Sequence, residues 1–301
     1  MTPASARALL TGVIDYAGLF PPAALPMQTA VAEYTAARAG SDAWLLGRFV
    51  VPAPRLAELA AARLAAPAPW QVSAIVGIGD LADVSAVHVF NDAASAHGAR
   101  IDSVEARPAT PDDVDWLADA FAEIAEIYVE LTPGATLAPW LDRVAARGLR
   151  AKVRTGGMTP EAFPTPDVVA GFLAAVVERG VPFKATAGLH HAVRGTYRLT
   201  YAADSGDAPM FGYLNVLFAT AALRAGHPLA TARDLLAATA SSSLVFADDA
   251  ATWNGVSLPV ATLEETRAHG LLSFGSCSFR EPADELPHLT AELKLRPTPD
   301  R

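Results

Sequence analysis

Cysteine is nearly missing from this sequence, lysine is scarce, and no apolar run is long enough to cross a bilayer. The 301 residues hold a single cysteine, Cys277, so no internal disulfide is available and nothing calls for an oxidising compartment. Lysine occurs only at Lys152, Lys184 and Lys294, against 20 arginines. Cations are in deficit as a whole, 23 against 32 acidic side chains, for a formal net charge of −9. A nucleic-acid partner, whose phosphates need a surplus of cations, is excluded on that balance. The longest apolar stretch, Val168 to Val177, ends at Glu178 and Arg179. It falls well short of the roughly 20 residues a spanning helix needs, so no membrane partner is expected. The N-terminal MTPASARALLTGVIDYAG has no charged region followed by an apolar core and a cleavage site. A cytoplasmic protein is the expectation. No G-x-G-x-x-G follows any apolar run, which leaves a dinucleotide site without support.

What is present is a 51% hydrophobic chain in which short apolar runs alternate with Ala/Leu-rich segments of helical spacing. The spacing predicts strands at Val13–Phe20, Trp44–Val51, Gln71–Gly77, Asp102–Arg107, Glu126–Leu131, Arg150–Gly156, Val181–Gly188 and Leu271–Phe279. Helices are predicted at Pro26–Ala39, Arg55–Ala66, Pro111–Glu123, Thr136–Arg147 and Pro166–Arg179. Thr110-Pro111 and Thr165-Pro166 read as caps followed by a first-turn proline. Gly40, Gly148 and Gly180 sit where a left-handed residue ends a helix. Eight strands of this kind predict an α/β fold, a single (β/α)8 TIM-type barrel over residues 1–281, with a C-terminal tail over 282–301. A long helical insertion precedes the last strand, with helices at Phe211–Ala225 and Thr231–Phe246 and an Asn254-Gly255 turn. Val84–Phe90 is compatible with helix or strand.

Alternation along the strands then sorts the charges. Apolar residues belong outward against helices, which sends Glu105 and Arg107, Tyr128 and Glu130, Lys152 and Arg154, and Lys184 and Thr186 into one interior. Burying charge costs several kcal/mol per unpaired group, so stability gives no reason to collect these residues. Function does, unless they pair off as a plug. The tally of these charges has a surplus of two cations, which predicts a small anionic substrate, a carboxylate or a phosphate. Gly156 and Gly157 after one strand, and Gly188 after the next, would let backbone approach such a ligand; a plain tight turn is the alternative for the first pair.

Three chemistries fit these residues. The first uses Lys184 as nucleophile or electrophile on a carbonyl, with Glu130 or Glu105 moving a proton and His190 assisting. Arg154, Lys152, Arg107 and Thr186 would bind the substrate in this lyase-type reading, which needs no cofactor. The second places a divalent metal on His191 or His190 with Glu130 and Glu105, for a lyase or hydrolase. The third makes Cys277 a nucleophile with a histidine of the His190-His191 pair as its base; the alternative for this segment is that its serines, Ser276 among them, join a phosphate-binding rim. Asp15, beside Tyr16 on the first strand, is open between a base, a ligand and a turn cap. A non-catalytic anion-binding barrel is the alternative of another class. Alanine-rich helix faces also leave room for a homo-oligomer.

The run Lys184-Ala185-Thr186-Ala187-Gly188 resembles the K-x-[ST]-x-G strand of class I aldolases of the deoxyribose-phosphate aldolase type. That resemblance implies an imine-forming lysine with a second lysine on a neighbouring strand. The order departs from the family, because its second lysine follows the first whereas Lys152 precedes Lys184. The segments IDYAGLFPPA, KATAGLHH, FGYLNV and FGSCSF together resemble a group of conserved bacterial proteins, a resemblance that spans most of the chain and implies no activity.

Overall fold

A computed structural model describes residues 2–63, 69–134 and 136–286. Eight parallel strands close into a barrel: β1 (Ile14–Tyr16), β2 (Leu46–Pro52), β3 (Trp70–Ile75), β4 (Ala99–Ala106), β5 (Glu126–Leu131), β6 (Arg150–Arg154) and β7 (Phe183–Thr186) follow in order. After β7 the chain forms β8 (Gly195–Arg198) and β9 (Asp207–Met210), a hairpin, and then β10 (Val245–Phe246), β11 (Ala250–Trp253) and β12 (Val256–Pro259), a small antiparallel sheet. The last barrel strand, β13 (Leu271–Ser276), pairs with β7 on one side and β1 on the other. The expected barrel is therefore present. Among the described residues no helix is long and apolar enough to cross a membrane.

The alternation that predicted the strands also explains the packing. Val104, Val129, Val153 and Ala185 are buried on the outside of the barrel in the apolar core shared with the helices. Helix starts follow their caps. Thr110 closes a capping box with Asp113, and the Thr165 hydroxyl accepts from the Val168 N–H. Gly148 and Gly180 adopt positive φ as helix ends require. Gly40 does not; its φ is −82°, so the chain leaves that helix extended. Val84–Phe90 is helical, within Leu81–Asp92, because Asp80 caps the Ala82 and Asp83 N–H groups.

The insertion before β13 differs most from expectation. Its second helix runs Leu229–Ala237 and stops there, while Val245–Phe246 is strand. Asn254 and Gly255 both have positive φ and turn β11 into β12, the hairpin geometry this pair favours. Residues 282–286, expected as the start of a surface tail, belong to a helical segment over 280–286 that buries Ala283 and Leu286. The remainder of the expected tail, including Lys294, lies outside the described residues.

Candidate active site

The C-terminal ends of the strands surround a cavity of about 770 Å³, a size suited to a small-molecule ligand. Glu105, Lys152 and Lys184 form its floor, and Arg154, Gly157, His190, His191, Tyr201, Cys277 and Glu281 stand around its wall and mouth. Register explains the floor. Lys152 on β6 lies opposite Glu130 on β5 and Lys184 on β7, so alternation points all three inward together.

These charges form one connected chain of ion pairs. Lys184 Nζ donates to Asp15 Oδ2 at 2.5 Å and to Glu105 Oε1 at 2.7 Å. Lys152 Nζ lies 2.7 Å from Glu105 Oε2 and 3.0 Å from Glu130 Oε2. Glu105 thus bridges two lysines on adjacent strands. Hydroxyls complete the carboxylates: Ser73 donates to Glu105 at 2.7 Å, and Ser273 donates to Asp15 at 2.7 Å. The other Asp15 oxygen accepts from the Arg48 backbone N–H, and the Tyr128 ring lies 5.2 Å from Lys184 Nζ.

Burial by itself would strip the proton from Lys184, which is 1% exposed, but the Asp15 and Glu105 carboxylates outweigh it and raise its proton affinity above the ordinary value. Burial likewise pushes Glu105 up, and the Lys152 and Lys184 ammonium groups reverse that, holding its carboxyl well below the usual range. Lys184 is therefore an ammonium held between two carboxylates. A neutral amine poised for attack, as the nucleophilic reading of Lys184 requires, is not what this geometry favours.

Other expected site residues fall differently. The predicted surplus of two cations is absent: Asp15, Glu105 and Glu130 face Lys152 and Lys184, and Arg154 reaches the rim with half its side chain exposed. Arg107 is not interior. β4 ends at Ala106, and Arg107 follows it as an exposed residue before Pro108. Ser276 shares the outward parity of Phe274 and is buried away from the cavity wall. Gly156 is also off the wall; a Cβ there would meet the Phe163 ring at 2.4 Å, so its glycine is needed for close packing. Gly157 and Thr186 do line the cavity.

The two histidines separate, and neither joins Glu105 or Glu130 in a metal site. Ala187 and Gly188, both at positive φ, turn the chain after β7 and bring the pair to the cavity. His190 Nδ1 lies 2.8 Å from Glu281, and His191 Nδ1 lies 2.6 Å from Glu285. His191 also stacks on Tyr197 at 3.4 Å. Among the described residues no group of three or more His, Cys, Asp or Glu side chains is disposed to hold a metal ion. Glu281, Glu285 and Tyr201 escaped the sequence reading. Glu281 and Glu285 lie four residues apart on one helical face, a spacing that puts them together but does not name the histidines they meet. No protein-family model matches the chain, and no curated protein matches it in sequence.

Proposed function

We propose that the protein is a lyase-type enzyme that cleaves a carbon–carbon or carbon–oxygen bond next to the carbonyl of a small anionic compound. The single observation that carries this reading is Glu105 shared by two buried ammonium groups at the floor of an open cavity. A barrel that needed only stability gains little from such a cluster, since replacing buried ion pairs with apolar side chains is often neutral or better. An ammonium has three N–H bonds, and the two carboxylate partners of each lysine leave a third to meet a carbonyl oxygen.

The chemistry follows from that placement. Lys184, with Lys152 beside it, donates to the substrate oxygen as negative charge develops there and so stabilises an enolate. Glu105, the carboxylate that lines the floor, takes the proton released from the substrate. Glu130 stands behind Lys152 off the cavity wall, and His190 assists at the mouth. The floor has no excess of cations, so the anionic end of the substrate faces the rim. Arg154 and Arg198 carry positive charge there. The resemblance to class I aldolases supports a two-lysine interior, with Lys184 acting here as electrophile.

The test is a panel of small keto acids and phosphorylated aldehydes and ketones, followed for conversion with and without borohydride. The account expects at least one compound to be converted, Lys184→Met to abolish conversion, and borohydride to leave no substrate-derived mass on any lysine. A reduced adduct at Lys184 or Lys152 restores the imine reading in place of this one. A compound bound tightly and never converted marks a binding barrel.

A further inference from the structure

We infer that Cys277, His190 and Glu281 form a second reactive centre at the mouth of the cavity, one that accepts an acyl group from an ester or thioester. Cys277 follows β13 and continues the inward set of Ser273 and Gly275. It stands about 13 Å along the strand from Ser273, at about 3.3 Å per residue, and so belongs to the mouth, away from the lysine floor. Cys277 is 5% exposed, and its sulfur lies 3.9 Å from both ring nitrogens of His190. Glu281 holds His190 Nδ1 at 2.8 Å, which leaves Nε2 to serve the sulfur. The Tyr201 hydroxyl, from the loop between β8 and β9, sits 3.6 Å from the sulfur.

Two parts of the chain, the segment after β13 and the turn after β7, therefore deliver a thiol, an imidazole and a carboxylate in series to one cavity wall. That is the order in which a nucleophile, its base and an orienting group act. Burial would lower the proton affinity of His190, but the Cys277 sulfur and the Glu281 carboxylate raise it, to about 10. The geometry sets a ring nitrogen of an imidazole held by a carboxylate beside the sulfur, the placement that lets the ring exchange a proton with a thiol nucleophile. In the step, the thiolate attacks the acyl carbon and a sulfur–carbon bond forms. The bond to the leaving oxygen or sulfur breaks, and the leaving group takes the His190 proton. Water then attacks the thioester, His190 takes its proton, and the sulfur leaves as thiolate.

Because the chain has one cysteine, any thiol reagent reports on this site alone. The experiment compares iodoacetamide modification at about pH 6.5, where an ordinary thiol of pKa about 8.5 is about 1% thiolate. Intact mass is followed for native and urea-unfolded protein. Native protein should react at least about tenfold faster than unfolded protein. His190→Gln should bring the rate to the unfolded value, and Glu281→Gln should place it between. With p-nitrophenyl acetate, native protein should gain one acetyl group that Cys277→Ala does not. A native alkylation rate no faster than the unfolded rate overturns the proposal, as does acetylation that survives Cys277→Ala. The native-against-unfolded comparison stands even if His190→Gln does not fold. Neither readout depends on the lysines or on carbonyl conversion, so this centre and the lyase reading fail separately.

Discussion

Replacing Lys184 with methionine removes the second charge from a chain of five that runs Asp15, Lys184, Glu105, Lys152, Glu130. Lys184 is 1% exposed and makes its two ion pairs at 2.5 and 2.7 Å. After Lys184→Met, Glu105 keeps Lys152 and the Ser73 hydroxyl, whereas Asp15 keeps only two of its hydrogen-bond donors, the Arg48 N–H and the Ser273 hydroxyl. Asp15 becomes the stranded charge. Breaking a buried pair in this way costs about 3–5 kcal/mol, and about 4 kcal/mol is also the attraction between unit charges 4 Å apart at an effective dielectric near 20. Urea unfolding should show the midpoint falling with little change in slope. Adding Asp15→Asn to Lys184→Met should return part of the loss, because the stranded carboxylate is gone while its shape remains. A loss below about 1 kcal/mol for Lys184→Met, or no recovery in the double variant, would refute the ion-pair chain.

The same network fixes the sign of the pH dependence. Lys184 has a raised proton affinity in the fold, so its contribution is complete below the unfolded pKa of about 10.4 and fades as pH rises through the folded value. Glu105 is held low, so its contribution is present above the unfolded pKa of about 4.3 and is lost as pH falls toward the folded value. Lys184→Met should flatten both limbs of a stability–pH curve.

Further outcomes follow from neighbouring geometry. His190, raised to about 10 beside Cys277 and Glu281, should favour the fold fully below its unfolded pKa of about 6.5. The stability gap between the native chain and His190→Gln should therefore narrow as pH climbs toward about 10 in parallel urea titrations. Gly156→Ala drives a methyl into Phe163 and should cost about 1–3 kcal/mol by thermal or urea unfolding. A neutral Gly156→Ala would mean the 158–164 loop yields freely.

Much of the fold was legible because periodicity and capping are local. The parity rule placed Glu105, Glu130, Lys152 and Lys184 inside correctly, since each lies within a regular strand whose outward neighbours are apolar. It failed for Arg107, which lies just past the end of β4. For Ser276 the same parity already gave the outward face, and it was the expected phosphate rim that failed. The cation surplus failed on three residues: Asp15, on a first strand of only three residues that are all buried, adds a carboxylate, Arg107 falls outside the barrel, and Arg154 stands at the rim. Glu281 and Glu285 reach the histidines from more than 90 residues away in sequence, a contact no local pattern encodes. Lys184 was placed correctly, yet its charge state was not legible, because Asp15 and Glu105 decide it.

Lysine scarcity makes the central claim directly measurable. Labelling with nitrogen-15 lysine yields side-chain signals from just Lys152, Lys184 and Lys294. Lys184→Arg identifies the Lys184 resonance by its loss. The nitrogen shift then reports whether that side chain is ammonium or amine across a pH titration. The account predicts an ammonium signal for Lys184 that persists at least to the ordinary lysine pKa of about 10.4. A Lys184 signal that turns to neutral amine near pH 7 would contradict it and make Lys184 a nucleophile.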